Sequence, residues 1–354
     1  MQVLVTGGTG FVGSHLVRRL LGRGHRVTSL DKSPGLFDDE LRRLGATLLT
    51  GSVTNADDVN RAAAGAEVVY HLASPFGDLL QGDAAYWDIE VNGTRNVLDA
   101  AERSGIRRVV HCSTQGVHGS LTHTPGDEDS PIAPRDYYCY SKAEGERVCQ
   151  EFLERGLDIV IVRPTSVFGP GDIRGWLKLY RMVSKGWFPM IGDGKTLNHP
   201  VYVENLVDLF ELAATVPEAK GRTYLAGDEH AVTLTELVRG VAESVGVDVR
   251  ILRWPWYNAA LVGVAAAEWM WRAVGIQPPV FRRRLSWYMT NRAFRIDRAK
   301  SELGYSPRIL LSEGLQRTAE WYRSSGYLGG SGVPAPSSLA PAAAGAGWKE
   351  PGDA

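Results

Sequence analysis

The apolar residues of the first half of the chain gather in short continuous runs. These are Gln2-Val3-Leu4-Val5-Thr6, Arg26-Val27-Thr28-Ser29-Leu30 ending at Asp31, Ala46-Thr47-Leu48-Leu49-Thr50, Glu67-Val68-Val69-Tyr70-His71-Leu72, Arg108-Val109-Val110-His111-Cys112 and Asp158-Ile159-Val160-Ile161-Val162. They are rich in β-branched residues, as strands buried on both faces should be. Stretches of helical period lie between them: Phe11 to Leu21, closed by Gly22 and Gly24, then Tyr86 to Ser104, and Tyr137 to Arg155. Strand and helix in alternation predict an α/β fold with a doubly wound parallel sheet and right-handed crossovers.

After Arg163-Pro164 the rhythm changes, with Gly169-Pro170-Gly171 and Gly186-Trp187-Phe188-Pro189 breaking it up. Thr233-Leu234-Thr235-Glu236 has the spacing of a capping box and predicts a helix to about Val245. Ser312 to Arg323 predicts a last helix. The expected organisation is a nucleotide-binding domain over 1–168 and a smaller, mostly helical substrate lobe over 169–326, with later segments returning to the first domain. Open α/β folds bind ligands at the carboxyl edge of the sheet, where the lobe is expected to sit. From Tyr327 the chain is Gly, Ala, Pro and Ser with few large apolar groups, and 327–354 reads as a disordered tail.

A length of 354 residues allows a substantial core, and a net charge of −1 gives no electrostatic footprint for nucleic acid or an anionic membrane. The three cysteines, Cys112, Cys139 and Cys149, have no metal spacing. They fit a reduced, cytoplasmic setting. The first strand begins at residue 2, which leaves no room for a signal peptide. The Trp- and Ala-rich segment from Trp254 to Arg272 is interrupted by Asn258, Glu268 and Arg272, so it reads as a core or substrate-covering helix, with shallow membrane contact as the alternative. The scattered histidines form no ligand pattern, and no metal is expected.

Candidate chemistry begins where the first strand meets the first helix. Gly7-Gly8-Thr9-Gly10-Phe11-Val12-Gly13 follows the strand and opens the amphipathic stretch. Such a turn aims free backbone N–H groups and the positive end of a helix dipole at one point, which suits a pyrophosphate. The second strand ends at Asp31, near the spacing for an acid that hydrogen-bonds a ribose 2′-hydroxyl. A carboxylate there repels a 2′-phosphate, so the expected cofactor is NAD. Lys32 alongside offsets some of that repulsion and keeps NADP as the alternative.

Tyr138 and Lys142 stand four apart on a predicted helix, one turn apart on one face. A phenol has an unperturbed pKa of ~10. The Lys142 ammonium beside it is expected to lower that value and make Tyr138 a general base for alcohol oxidation, or an acid for ketone reduction. Lys142 is also in reach of a nicotinamide ribose. The fifth strand ends in His111-Cys112-Ser113-Thr114. Thr114, with Ser113 as the second choice, is expected to hold the reacting oxygen.

These features together resemble the extended short-chain dehydrogenase/reductases of the NAD-dependent epimerase/dehydratase group, with a Rossmann fold, from residue 2 to about 326. The likeness rests on Thr6 to Gly13, His71-Leu72-Ala73-Ser74, Asn92-Gly93-Thr94-Arg95-Asn96-Val97, Ser113-Thr114, Tyr138 to Lys142, Arg163 to Gly171 and Tyr202-Val203-Glu204-Asn205. The resemblance implies a catalytic triad of Thr114, Tyr138 and Lys142. It implies that Leu72, Ala73 and Ser74 line the nicotinamide half of the groove, that Pro164 and Thr165 back the ring, and that Asn92 holds helix and strand in register near the site. Where the family usually has an acid for adenine, this chain has Gly51-Ser52-Val53, which leaves Ser52 and Val53 as the adenine contacts.

Three features bear on the reaction. Dehydratases resembling this chain have Asp-Glu directly after the threonine, whereas Gln115 and Gly116 stand here and cannot move protons for water elimination. Sugar-nucleotide members place arginines to grip a diphosphate, and only Lys195, Arg292 and Arg295 stand in the matching regions. Trp176, Trp187, Phe188, Trp254, Trp256, Trp269, Trp271 and Phe281 give the lobe an aromatic density that suggests a hydrophobic pocket. Segments Gly192 to Asn205, Trp254 to Ile276 and Asn291 to Tyr305 are similar to the 3β-hydroxysteroid dehydrogenase branch. The expectation is a dehydrogenase or ketoreductase of a bulky apolar secondary alcohol or ketone, such as a steroid, isoprenoid or polyketide-like compound. A sugar-nucleotide epimerase using the same triad is the alternative. The intact triad argues against a regulator that has lost its chemistry. The resemblance also implies a homodimer paired through helices Tyr86 to Ser104 and Tyr137 to Arg155.

Overall fold

Six of the runs read as strands lie side by side in one sheet of a computed structural model that describes residues 1–75, 83–254 and 290–329. They are β1 (Gln2–Thr6), β2 (Arg26–Asp31), β3 (Thr47–Thr50), β4 (Val68–His71), β5 (Arg108–Cys112) and β6 (Ile159–Pro164). A seventh strand, Thr223–Ala226, returns from the second half of the chain and pairs with β6. The order is β3-β2-β1-β4-β5-β6 and then the returning strand, all parallel. The order reverses between β1 and β4, so the crevice beyond their carboxyl ends is the switch point where such sheets take ligands.

Side chains alternate across the sheet. Val3 and Val5 of β1, Val110 of β5, and Val160 and Val162 of β6 face a core closed by α1 (Phe11–Gly22) and by the helix Val203–Thr215. Leu4, Val109, Ile159 and Ile161 face the opposite core, closed by α3 (Ala56–Ala63), α5 (Thr94–Arg103) and α6 (Tyr137–Glu154), with α2 (Asp38–Arg43) leading into β3. Both faces are covered, so the strands carry no polar face. Each fully buried Val, Leu or Ile contributes about 1.5–3 kcal/mol.

The helix expected from Tyr86 to Ser104 is not one α-helix. It runs as α4 (Asp83–Trp87), a π-helical turn Asp88–Gly93, and then α5. The wider turn rotates the register by one residue. Glu90 is carried into the interior at 1% exposure, and Asn92 faces solvent. Single π turns inside helices frequently mark functional sites.

Beyond Pro164 three short strand pairs accompany the helices. Ser166–Phe168 pairs with Pro200–Tyr202, and Trp187–Ile191 with Arg250–Trp254, both parallel. Leu197–Asn198 pairs antiparallel with Val232–Thr233. The predicted capping box is present: the Thr233 hydroxyl accepts from Glu236 N, and the Glu236 carboxylate accepts from Thr233 N, starting the helix Leu234–Val245. Trp176, Tyr180, Phe188, Tyr202, Leu237, Val241 and Tyr322 form the core of this lobe.

That packing corrects the reading of the aromatics as pocket lining for three of them. Trp176 is a core residue stacked on Phe168 at 4.7 Å, Phe188 is buried among its neighbours, and Trp187 faces solvent. The side chain of Trp254, and Trp256, Trp269, Trp271 and Phe281, lie outside the described residues. Tyr327 and Leu328, expected in the tail, belong to the packed lobe. The Tyr327 ring stacks on Trp321 at 5.4 Å and Leu328 is buried in the lobe core, while 330–354 lie outside the described residues. Among the described residues no helix is long and apolar enough to cross a membrane, and no cluster of His, Cys, Asp and Glu is placed to hold a metal ion.

Candidate active site

Parallel strands end on one edge of the sheet, and the singled-out segments follow from those ends: Gly7 after β1, Leu72-Ala73-Ser74 after β4, Ser113-Thr114 after β5, and Pro164-Thr165 at the end of β6. Gly7 has a φ of 75°, in the left-handed region that favours glycine, and its N–H donates to Leu30 O at 3.0 Å. A Cβ at Gly7 would lie 2.8 Å from Ala73 N, so the backbones meet across the switch point. At Gly13 a Cβ would come within 2.1 Å of Gly7 O, so the turn and helix pack only without a side chain there. A Cβ at Gly10 would meet Gly7 O alone, at 3.1 Å, and the residue is exposed.

Gly10 is the N-cap of α1, with no side-chain cap and no acid in the first turn. The N–H groups of Phe11, Val12 and Gly13 therefore head an uncapped positive helix end. Asp31 lies beside this turn. Its carboxylate accepts from Thr9 N at 3.2 Å and from Ser29 Oγ at 2.5 Å. Burial raises its pKa, and the bonds from Ser29 and Thr9 oppose that. Lys32 is exposed. Ser52 N–H donates to Asp58 at 3.0 Å and its hydroxyl bonds Thr54, while Val53 is buried against Gly93. At the end of β6, Pro164 is buried, and Thr165 N–H donates to Ala226 O while its hydroxyl oxygen is buried with no hydrogen-bond partner among the described residues. The open helix end, the room over Gly10 and the orphaned Thr165 hydroxyl fit a bound dinucleotide.

Thr114 caps the short helix Gln115–His118, its hydroxyl oxygen accepting from Gly116 N at 3.1 Å. Ser113 is not an equivalent choice. It is buried, and its hydroxyl is committed to Glu146, which also holds Arg163 through two bonds of 2.9 and 2.6 Å. Asp136 caps α6 by accepting from Cys139 N, which orients Tyr138 and Lys142 one turn apart.

Lys142, however, does not serve Tyr138 in the way the spacing predicts. Its ammonium is 2% exposed, pairs with Glu90 Oε2 at 2.8 Å and donates to Cys112 O at 2.8 Å. Burial raises the Tyr138 pKa well above its usual value, the Glu90 carboxylate raises it further, and a hydrogen bond with the Ser74 side chain opposes this. The expectation of a phenol acidified by its neighbour is corrected: the neighbour's charge is neutralised by a carboxylate that periodicity did not flag. Ser74 donates to Glu90 Oε1 at 2.6 Å, and burial raises the Glu90 pKa while Lys142 lowers it. A signal for Glu90 exists in the sequence, since it stands four residues from both Tyr86 and Thr94 on an otherwise inward stripe. Asn92 is corrected as well. Its side chain donates to Asp88 at 2.9 Å on the exposed side, because the π turn gives the inward position to Glu90.

Three of the other polar candidates, His118, His199 and Arg295, are occupied elsewhere. His118 and His199 are buried and bonded to backbone carbonyls of Ser130 and Asp228. Arg295 is paired with Asp127 at 2.8 Å, Lys195 is exposed, and Arg292 donates its backbone N–H to Leu197 O.

Below the site, His71 and His111 lie with ring centroids 5.3 Å apart. His71 bonds Thr6 at 2.7 Å and Thr94 at 3.1 Å, whereas both ring nitrogens of His111 are buried without a hydrogen-bond partner among the described residues. Burial holds His71 down to about 3 and His111 well below the usual range, with Lys142 adding to both. The folded state thus binds these protons more weakly than the unfolded chain. The stability this contributes is full above a pH of about 6.5 and is lost progressively as pH falls below it. His111→Leu is expected to leave stability at pH 7 unchanged or raise it by about 1 kcal/mol. It should also flatten the loss on acidification, as read by urea unfolding across pH. Parallel pH curves for variant and wild type would contradict this.

A sequence profile described as the NAD dependent epimerase/dehydratase family matches residues 3–227. A 3-beta-hydroxysteroid dehydrogenase of Mycolicibacterium neoaurum is 31% identical over 343 residues, covering 91% of this chain and 91% of its own length. An N-acetyl-alpha-D-glucosaminyl-diphospho-ditrans,octacis-undecaprenol 4-epimerase of Escherichia coli O157:H7 is 27% identical, covering 90% of this chain and 95% of its own length. Among solved structures, the dTDP-glucose 4,6-dehydratase DesIV of Streptomyces venezuelae, with NAD bound, is 26% identical with a TM-score of 0.72, covering 92% of this chain and 97% of that one.

Proposed function

The chain belongs to the NAD-dependent epimerase/dehydratase family, and from that premise we propose that it is an NAD-linked alcohol dehydrogenase or ketoreductase. Its substrate in this reading is a bulky, largely apolar secondary alcohol or ketone of the steroid, isoprenoid or polyketide-like kind. One observation carries the reading: Thr114, Tyr138 and Lys142 come from the same edge of the sheet, with Gln115 and Gly116 where water elimination needs an acid and a base. A Cβ at Gly116 would lie 2.6 Å from Cys139 Sγ, so the backbone there is packed closely under α6. The relative acting on a hydroxysteroid supports the apolar class, and Arg295, committed to Asp127, is a poor diphosphate grip.

In this reading the turn Gly7 to Gly13 with Phe11 and Val12 holds the pyrophosphate. Asp31 holds the adenosine ribose, Ser52 and Val53 lie at the adenine end, and Leu72, Ala73, Ser74, Pro164 and Thr165 flank the nicotinamide half. Lys142 holds the nicotinamide ribose. When bound, NAD supplies the hydride acceptor. Thr114 donates its hydroxyl hydrogen to the substrate oxygen and fixes its position. Tyr138 takes the substrate hydroxyl proton in oxidation, or gives its own proton to the carbonyl oxygen in reduction. The test is turnover of NAD with hydrophobic secondary alcohols against isomerisation of UDP- or dTDP-sugars without net NADH. Robust sugar isomerisation would overturn the reading in favour of an epimerase.

Asp31→Ala removes the charge-assisted acceptor at the end of β2. NAD affinity is expected to fall about 10- to 100-fold, and discrimination against NADP should shrink, as read by calorimetric titration of both cofactors. Unchanged preference would place the selecting group elsewhere.

The proposal includes a homodimer paired through α4, α5 and α6. Trp87 and Tyr140 lie 6.3 Å apart, and Tyr140 is 41% exposed beside Tyr137, which leaves an aromatic patch across these helices. Tyr140→Glu is expected to convert a sedimenting dimer into monomer. A wild-type protein that sediments as monomer at micromolar concentration would contradict the pairing.

A further inference from the structure

Glu90 is the one buried carboxylate that joins the phenol to the lysine among the described residues, and nothing in the expected triad uses it. The π turn aims it inward, and Thr94 Oγ1 donates to Glu90 O at 2.6 Å. Helix α6 lies against that turn so closely that a Cβ at Gly145 would come within 2.6 Å of Glu90 O. That approach brings Lys142, one turn earlier on α6, onto the carboxylate. One oxygen of Glu90 faces Lys142 at 2.8 Å, and the other accepts from Ser74 at 2.6 Å, with Ser74 in turn hydrogen-bonded to Tyr138. A buried ion pair alone is a weak stabiliser, because desolvation of both charges offsets their attraction. It has no need of a third link to a phenol at the substrate edge.

We propose that Glu90 is the proton-holding partner of Tyr138, acting through the Ser74 hydroxyl while its second oxygen fixes Lys142. This rests on the reading of Tyr138 as the group that exchanges a proton with the substrate oxygen. In oxidation, the substrate O–H bond breaks and a Tyr138 O–H bond forms. The proton Tyr138 already carries passes to Ser74 Oγ, and the Ser74 proton passes to Glu90 Oε1. Tyr138 and Ser74 end as they began, Glu90 becomes a neutral acid, and Lys142 keeps its charge beside it. Reduction runs the same transfers backwards. Glu90 is therefore a positioning and proton-storing residue and does not touch substrate.

The groups facing this wire are Tyr86 from α4, His71 from β4, His111 and Cys112 from β5, and Tyr138, Cys139 and Lys142 from α6. His71 and His111 are held neutral, and the Cys112 thiol is pushed up to about 11 by burial. The phenolate band of Tyr138, taken as the difference between each protein and its Tyr138→Phe counterpart, reports the wire without cofactor or substrate. Glu90→Gln removes the negative charge that opposes ionisation, and the titration midpoint should fall by about one unit or more. In turnover, Glu90→Gln and Ser74→Ala should both lose plateau kcat, Glu90→Gln by about 100-fold. Glu90→Asp should restore part of that loss.

A purely structural Glu90 would lower melting temperature and cofactor affinity and leave plateau kcat unchanged. Coincident titration curves for wild type and Glu90→Gln would overturn the proposal. If Glu90→Gln does not fold, Ser74→Ala decides by itself, and an unchanged plateau kcat overturns it. Failure of wild-type protein to oxidise any secondary alcohol strikes the proposed function instead. The phenolate titration judges Glu90 apart from it.

Discussion

Tyr138→Phe is expected to lower kcat about 10²- to 10⁴-fold for alcohol oxidation, the range that a positioned proton-transfer group supplies. The phenyl ring keeps the edge-on contact with Tyr86, whose centroid lies 6.0 Å away, so folding and NAD binding should be preserved. The loss therefore falls on kcat and not on cofactor affinity, which steady-state kinetics alongside NAD titration resolve. A variant that retains wild-type kcat would show that the proton leaves the substrate by another route.

Lys142→Met is the second large effect, and it is first an effect on stability. It leaves Glu90, at 1% exposure, as a buried carboxylate without its counter-ion. Breaking one side of a buried pair costs about 3–5 kcal/mol, which urea unfolding at neutral pH measures. Burial already raises the Glu90 pKa, and loss of Lys142 removes the group that holds it down. A carboxyl whose folded pKa lies above its unfolded value is best tolerated protonated. The deficit of the variant should be greatest above the folded pKa of Glu90 and shrink as pH falls through it. The double variant Glu90→Gln/Lys142→Met should regain much of the stability at neutral pH, since neither partner is then left charged and unpaired. A deficit independent of pH, or no recovery in the double variant, would contradict the account of this pair.

The sheet was legible because its strands are buried on both faces and carry continuous β-branched runs. Arg108 to Cys112 and Gln2 to Thr6 fall within the strands found there. The Gly7 to Gly13 turn was legible because close backbone approach excludes side chains at Gly7 and Gly13, and only glycine meets that demand. The returning strand Thr223–Ala226 is four residues long, with no period to mark it, and its place beside β6 is a tertiary fact. Asn92 faces solvent, away from the place the resemblance gave it, because the π turn Asp88–Gly93 presents Glu90 to the interior instead. Tyr138 and Lys142 were rightly placed on one helix face, but what a charge does to a neighbour depends on every other charge near it. The carboxylate of Glu90 comes from a different helix. Trp176 and Phe188 show the same limit: aromatic density marks buried area, and only packing decides whether it is core or cavity.

In the proposed function this edge of the sheet moves a hydride from an apolar secondary alcohol while Tyr138 moves the proton. The most direct measurement uses such an alcohol, for example a 3β-hydroxysteroid, with deuterium on the carbinol carbon, and follows the label by mass spectrometry of the nicotinamide product. One deuterium per ketone formed is expected in reduced NAD, with label transfer suppressed by Tyr138→Phe. No label in the cofactor with any such alcohol, together with inversion of a nucleotide sugar at unchanged NAD, would contradict it.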